Sequence, residues 1–545
     1  MDMATTSEKR AQNIGYACTG AHVDAGLGNR VAMRWISAEL ASNELSFSEL
    51  DRRSNQFANV LGALGIRPGE CIFTFLPRTP EQFYAFLGAL KARVVVGTLF
   101  SNFGEDALLD RLGDARPRAV ITKRSLARRI DRVRSQLPSL THVILIDDDP
   151  LEEFGHLSFW SLLRAASDRF ETPDTDPETR SVLHYTSGSI GKPKGVVHVH
   201  ASLQHQRQTT ANILGLNSDD VFWCTADQGW VTGTSYGIIG PWSLGITQLH
   251  YGGGYDAELW LRLLEEQRVT VWYTAPTALR MLMREPPELF RQFNLSHLRS
   301  VFSVGEPLNP EVIAWAQRVL DKDIHDTWFQ TETGAIMIWN RPNLKIRPGS
   351  MGVPVPGVEA AILSDDGLTL PPGQPGDLCL RVGWSSMFRT YLNNESVYRS
   401  RFRGDWYVTG DKAYCDPEGH FWFIGRTDDV INTGGHLVSP FEVESALLEL
   451  PEVAESGVVG VPDDILFEKV IAFVALRGNR TLTPALDLKM RLHVSNRVSS
   501  VATPQQIVAV PSVPKNKSGK IMRRILRARY LGQPEGDTST LEENA

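Results

Sequence analysis

The sequence predicts an α/β protein in two parts: a large N-terminal domain, residues 1–427, of mostly parallel sheets flanked by helices, and a small α+β domain, residues 428–545. Three observations carry that expectation. A chain of 545 residues exceeds what one hydrophobic core ordinarily organises. From Leu45 onward, short apolar runs alternate with helix-period segments, the pattern of a parallel sheet with helices on both faces. After the Asp428-Asp429 pair a fresh local pattern begins, with its own glycine loop, helix cap and strands.

In chain order, Ser46 and Glu49 have the spacing of a capping box, and Leu50, Phe57, Val60, Leu61 and Leu64 then recur at helical intervals until Gly65. Residues 71–76 form a strand after the Arg67-Pro68-Gly69 turn, and Thr79 caps a helix whose first position is Pro80. Residues 94–96, 119–122 and 143–146 have strand composition. The acidic, proline-containing stretch 168–180 is expected to be an exposed connector. Residues 181–184 and 196–199 are strands around a glycine-rich loop, and 414–423 is a hairpin. Ser439 and Glu442 make a second capping box, with Pro440 at the first helical position and Val443, Ala446, Leu447 and Leu450 buried. Strands at 453–459, 470–476 and 506–510 and a helix at 486–498 complete the small domain.

Composition narrows the function. Apolar content of 42% and charged content of 22% are those of an ordinary globular protein. The charge balance, 56 − 63 = −7, has no long basic run, which disfavours a nucleic-acid partner. No apolar run reaches membrane-spanning length, since 236–249 is broken by glycines and Pro241, so no membrane partner is expected. Residues 1–10 lack an apolar signal segment, and the five scattered cysteines form no metal or disulfide pattern, as in a cytoplasmic protein. His198 and His200 alternate on a strand and share a face, but with no third ligand nearby a structural role is expected.

The loop Tyr185-Thr-Ser-Gly-Ser-Ile-Gly-Lys-Pro-Lys-Gly195 packs three glycines, three small hydroxyls and two lysines into eleven residues. Glycines let backbone N–H groups converge on an anion, and hydroxyls and lysines add donors and charge. A flexible turn has the same composition. A Walker loop does not fit, because the position five after Gly188 is Pro193. Further on stand Ser303-Val304-Gly305-Glu306-Pro307, then Asp326-Thr327-Trp328-Phe329-Gln330-Thr331-Glu332-Thr333-Gly334, and Thr409-Gly410-Asp411. Gly425-Arg426-Thr427-Asp428, Gly434-Gly435-His436 and Pro514-Lys515-Asn516-Lys517-Ser518-Gly519-Lys520 complete the series. A threonine-flanked carboxylate such as Glu332 suits Mg2+, which takes few protein ligands, all hard oxygens. Each motif alone also fits a surface turn or solvated loop.

Together, in this order, they resemble the acyl-adenylate-forming superfamily of acyl-CoA synthetases, luciferases and peptide-synthetase adenylation domains, and look most like acetyl-CoA synthetases. The resemblance implies a mobile C-terminal domain turning about Asp428, with ATP, Mg2+ and coenzyme A as cofactors and a small carboxylate as substrate. It implies phosphate and nucleotide contacts from Thr186, Ser187, Gly188, Ser189, Gly191, Lys192, Lys194, Gly305, Glu306, Pro307, Asp326, Thr327 and Gln330, with ribose at Asp411 and a further contact from Arg426. Lys520, Thr331 and Glu332 are the implied catalytic residues, Glu332 the metal residue. Trp230, Val231, Thr232, Val304 and Phe329 would line the acyl pocket, and Gly434, Gly435 and His436 the coenzyme A tunnel. Acetylation of Lys520 is an implied means of regulation. The implied reaction is acyl-CoA formation through acyl-AMP, with acetate or propionate as the acid. Alternatives are a medium-chain or aryl acid, delivery to a carrier protein, or a nucleotide-binding paralogue with weak turnover. Three departures bear on these: Ile190 replaces a usual threonine and removes a phosphate donor, Leu437 stands where arginine is common, and Phe329 where acetyl-CoA synthetases have tryptophan.

Overall fold

The computed structural model describes residues 9–147, 155–186, 193–342, 344–434, 436–478, 480–516, 519–536, 538 and 541. Two sheets organise the larger part. In the eight-stranded sheet, Cys71–Phe75, Val95–Leu99, Ala119–Thr122, His142–Leu145, Leu157–Ser158 and Arg180–Thr186 run parallel, while Lys194–Val199 folds back antiparallel on Arg180–Thr186. Phe47–Ala63 and Pro80–Lys91 pack on this sheet and bury Phe57, Leu61, Phe83 and Phe86 completely. Ser46 accepts a hydrogen bond from the Glu49 amide, as its capping-box spacing predicts.

The fourteen-stranded sheet has two characters. Its first half is parallel, with Val221–Cys224, Val271–Thr274, Ser300–Val304 and Ile324–Trp328 side by side. From Ile338–Trp339 to Trp406–Cys415 and Phe421–Arg426 it continues as an antiparallel meander, which helix–strand alternation does not announce. Strands Val31–Ile36 and Ser42–Ser46 also join this sheet ahead of Leu45, where the alternating pattern first becomes legible. Their exposed polar residues, such as Asn43 and Glu44, mask the strand signal.

The stretch 168–180 is not simply exposed. Thr172 and Thr175 are buried, and Thr175 Oγ1 accepts from Asn13 Nδ2 at 3.0 Å. The histidine pair is structural: His200 Nδ1 accepts from the Ile14 amide, and His198 Nε2 lies 2.8 Å from the Thr331 carbonyl. Burial holds both below the usual histidine range, at about 3 and about 4. Among the described residues no group of three metal-ligating side chains occurs, and no helix is long and apolar enough to cross a membrane.

The smaller part is a five-stranded sheet built on the long hairpin Val453–Asp463 and Phe467–Leu476, covered by Pro440–Leu448 and Pro484–Arg497. Near its end Lys515 bridges to Ile521, and Asn516 pairs antiparallel with Leu541.

Candidate active site

The site forms where the two large sheets meet. Thr186 and Lys194 are opposite one another on antiparallel strands, so they close the base of the glycine-rich loop. Ser187, Gly188, Ser189, Ile190, Gly191 and Lys192 lie outside the described residues. Lys194 Nζ stands 5.6 Å from the Tyr391 ring centroid, and the Tyr391 hydroxyl donates to Glu332 Oε1 at 2.8 Å. Lysine, tyrosine and glutamate thus form one polar cluster at the loop base. The Thr331 carbonyl beside it is held by His198 and the Glu332 carbonyl by the Phe388 amide.

Asp411 anchors the neighbouring platform. Trp328 Nε1 and Gln330 Nε2 both donate to its Oδ2, at 3.1 and 3.0 Å, and Arg426, opposite it in the ladder, brings Nε to 3.8 Å from Oδ1. The Tyr407 hydroxyl fixes Gln330 through Oε1. Burial raises the Asp411 pKa, against the opposing pull of Arg426, Lys520 and Trp328.

Gly305 turns at φ +92°, a conformation that favours glycine, directly after Ser300–Val304. Pro307 follows in the same loop, while the Glu306 carboxylate is directed to Arg280 and Thr277. Asp326 is buried, accepts from Ser303 Oγ at 2.7 Å, and is pushed by desolvation up to about 7. The Thr327 hydroxyl is taken up between Tyr273 and the Ser303 carbonyl, so it stiffens the strands.

Trp230 precedes the short helix Val231–Thr234 and packs on Phe100, with ring centroids 4.8 Å apart. Val231, Thr232 and Val304 are buried. A π-helical turn, Ser235–Ile239, follows, and such turns recur at functional sites. It sets the Tyr236 ring edge-on to Phe329 at 5.5 Å and to Tyr273 at 5.6 Å, leaving its hydroxyl to the Ile336 amide and Thr209. Bulky aromatic rings therefore crowd Phe329.

Lys520 comes from the smaller part. Its amide donates to Asn516 Oδ1, its carbonyl accepts from the Asn516 amide, and Gly519 turns at φ +84° before it. The ammonium is surrounded by Arg426, Asp429, Asp411 and Arg523, and burial, followed by Arg426, lowers its pKa. Lys520 therefore faces the Asp411 platform. Arg284 with Glu455 at 2.8 Å, Asn309 with Ser445 at 2.7 Å and Thr277 with the Gly519 carbonyl at 3.1 Å tie the two parts together.

Asp428 is exposed in the turn between the two parts. Gly434, at φ +59°, and the exposed His436 lie in the hairpin formed by Ile431–Thr433 and His436–Val438, and Gly435 is outside the described residues. In this arrangement Lys520, not that hairpin, faces Asp411.

Sequence reasoning missed Tyr391, Trp328, Tyr407, Tyr236 and Arg401. Arg401 Nη2 donates to the Thr409 carbonyl at 2.7 Å beside Gly410, which turns at φ +79°. Except for Arg401, which reaches Thr409 across a turn, their partners are distant in sequence, so no local spacing marks them; for Tyr236 the glycine-punctuated apolar run was the one signal.

Thr186, Lys194, Glu332 and Asp411 of the larger part and Lys520 of the smaller one are thus the polar side chains that this arrangement offers. The chain belongs to the AMP-binding enzyme family: that family's profile matches residues 21–392, and the profile of the AMP-binding enzyme C-terminal domain matches 442–520. It is 44% identical over 533 residues to an acetyl-coenzyme A synthetase of Bacillus subtilis (strain 168), covering 97% of this chain and 93% of that one. A second acetyl-coenzyme A synthetase, from Rubrobacter xylanophilus, is 37% identical over 97% of this chain and 86% of its own. A solved anthranilate CoA ligase in complex with anthranoyl-AMP superposes with a TM-score of 0.87 at 30% identity, covering 96% of this chain and 97% of that one.

Proposed function

We propose that the protein is an AMP-forming acetate–CoA ligase. The observation that carries this reading is Lys520 held against the platform of Asp411 and Arg426. In the first half-reaction an acetate oxygen attacks the α-phosphorus of ATP; the bond to the bridging oxygen breaks, and pyrophosphate leaves with its electron pair. In the second, the sulfur of coenzyme A attacks the acyl carbon, the carbon–oxygen bond to AMP breaks, and the thiol proton passes to solvent.

In-line displacement at phosphorus needs positioning and charge neutralisation more than covalent help. Asp411 orients the ribose through its remaining acceptor capacity, with Arg426 beside it. Thr186, Ser187, Gly188, Ser189, Gly191, Lys192 and Lys194 cradle the departing phosphates. The loop Gly305-Glu306-Pro307 with Asp326 and Thr327 borders the adenine, and Lys520 neutralises charge at the reacting phosphate. A single carboxylate, Glu332, fixed by Tyr391 and adjoining Thr331, fits Mg2+, which would supply charge compensation to phosphate oxygens. For the second step the smaller unit turns about Asp428, withdrawing Lys520 and bringing Gly434, Gly435 and His436 to the coenzyme A tunnel. Lysine's compact charge on a flexible stem suits that exchange. Acetylation of Lys520 would remove the charge and switch off the first step, and its lowered pKa favours the reactive neutral amine.

The crowding of Phe329 by Tyr236 supports a short acid. AMP release measured with acetate, propionate, butyrate, hexanoate, octanoate and benzoate, with and without coenzyme A, tests this. An optimum at acetate or propionate that requires free coenzyme A is expected; an optimum at hexanoate, octanoate or benzoate overturns the substrate. Failure of ATP–pyrophosphate exchange with every acid overturns the activity. The five cysteines are all free thiols, consistent with the reducing cytoplasm proposed as its location.

A further inference from the structure

We propose that Thr277 is a two-position latch that couples the loop bordering the adenine to the arrival of Lys520; this rests on the half-reactions proposed above. Thr277 is the second residue of the helix Pro276–Leu282 of the larger part. Its hydroxyl lies within reach of three acceptors: the Glu306 carboxylate oxygens at 2.8 and 2.9 Å, and the Gly519 carbonyl at 3.1 Å. It carries one proton, so it serves Glu306 or Gly519 at any instant. Arg280 Nη2 donates to the same hydroxyl at 2.6 Å and to Glu306 Oε2 at 2.5 Å. The guanidinium thus satisfies the carboxylate when the threonine proton turns to Gly519.

Two further features make this a docking position and not a chance contact. A side chain at Gly519 would begin 2.1 Å from the Thr277 methyl, and Gly519 sits at φ +84°, so the close approach needs glycine on both counts. Gly519 immediately precedes Lys520, and Glu306 is flanked by Gly305 and Pro307, so the hydroxyl is one residue from each functional group it links. When the smaller unit turns away, the proton returns to Glu306 and no buried donor is stranded, which makes undocking cheap.

The test uses the full-length chain with Thr277→Val, which keeps the shape and removes the hydroxyl, and Thr277→Ser, which restores it. Paired fluorophores, one on each domain, report the docked population without substrates. Two half-reactions are assayed separately: acetate-dependent ATP–pyrophosphate exchange, and thioester formation from supplied acetyl-AMP and coenzyme A. Expected for Thr277→Val are a smaller docked population and an exchange rate about 3- to 10-fold lower, the worth of one hydrogen bond. Thioester formation should be unchanged, and Thr277→Ser should recover at least half of the loss. An unchanged docked population, or equal losses in both half-reactions, overturns the latch. Absence of exchange in the unaltered protein would instead overturn the proposed activity, and the docked population would still decide the latch.

Discussion

Asp411 and Lys520 face one another but are built in opposite ways. Asp411 sits mid-strand in Trp406–Cys415, its amide accepted by Thr409 Oγ1 and its carboxylate gripped by Trp328 and Gln330, with Arg426 alongside. Among the described residues Lys520 is held through its backbone, by the turn on Asn516, and its charge rides on a flexible stem. In the proposed mechanism the first would be a socket formed before nucleotide arrives, and the second a charge brought to it. A socket must serve every state that carries the nucleotide, whereas a delivered charge need serve only one.

That contrast can be broken by experiment. Lys520→Ala should reduce ATP–pyrophosphate exchange by about 100- to 1000-fold, the scale of losing one transition-state charge contact. Thioester formation from acetyl-AMP should persist; loss of both would erase the distinction. Asp411→Asn should instead weaken both half-reactions by roughly 10-fold, seen as raised KM for ATP and for acetyl-AMP, because both carry the ribose. Selective loss of one half-reaction there would reverse the assignment. Phe329→Ala should move the acid optimum toward butyrate or longer, since each added methylene is worth about 1–3 kcal/mol in a fitted pocket.

The pH profile sharpens the contrast more gently. A lowered pKa means that Lys520 gives up its proton at lower pH than an ordinary lysine, near 10.4. The kcat/KM of exchange should therefore fall on an alkaline limb below that value, and the thioester half-reaction should lack this limb. Lys520→Arg should remove it, since guanidinium stays charged. The smallest effect is expected of Arg284→Ala, which leaves Glu455 to its other partners, Lys515 and the Val513 amide. Arg284 is 42% exposed, so the lost docking bond should lower exchange only about twofold.

Much of this arrangement was legible in the sequence, for definite reasons. Capping boxes act over three residues, so Ser46 with Glu49 and Ser439 with Glu442 could be paired from spacing alone, and both serine hydroxyls accept from the expected amides. The linear motifs singled out Asp411, Glu332 and Lys520 as candidates because nucleotide chemistry asks for particular side chains in short loops, and the fold sets Lys520 facing Asp411. What stayed hidden depends on contacts across the chain. Tyr391 reaches Glu332 from a strand of the eight-stranded sheet, Arg401 approaches Gly410 from the turn before Phe402–Arg403, and the π-helical turn that aims Tyr236 at Phe329 has no compositional signature beyond its glycines. Asp326, expected from the motif to be a nucleotide contact, is deeply buried, a property that only packing determines.

The bridge between Asn516 and Leu541 has a practical consequence for anyone handling the protein. Asn516 is the residue on which the Lys520 turn is folded, so Leu541 lies one contact away from the backbone of Lys520. A change at Leu541 is therefore expected to be felt at the turn that carries Lys520, far from it in sequence.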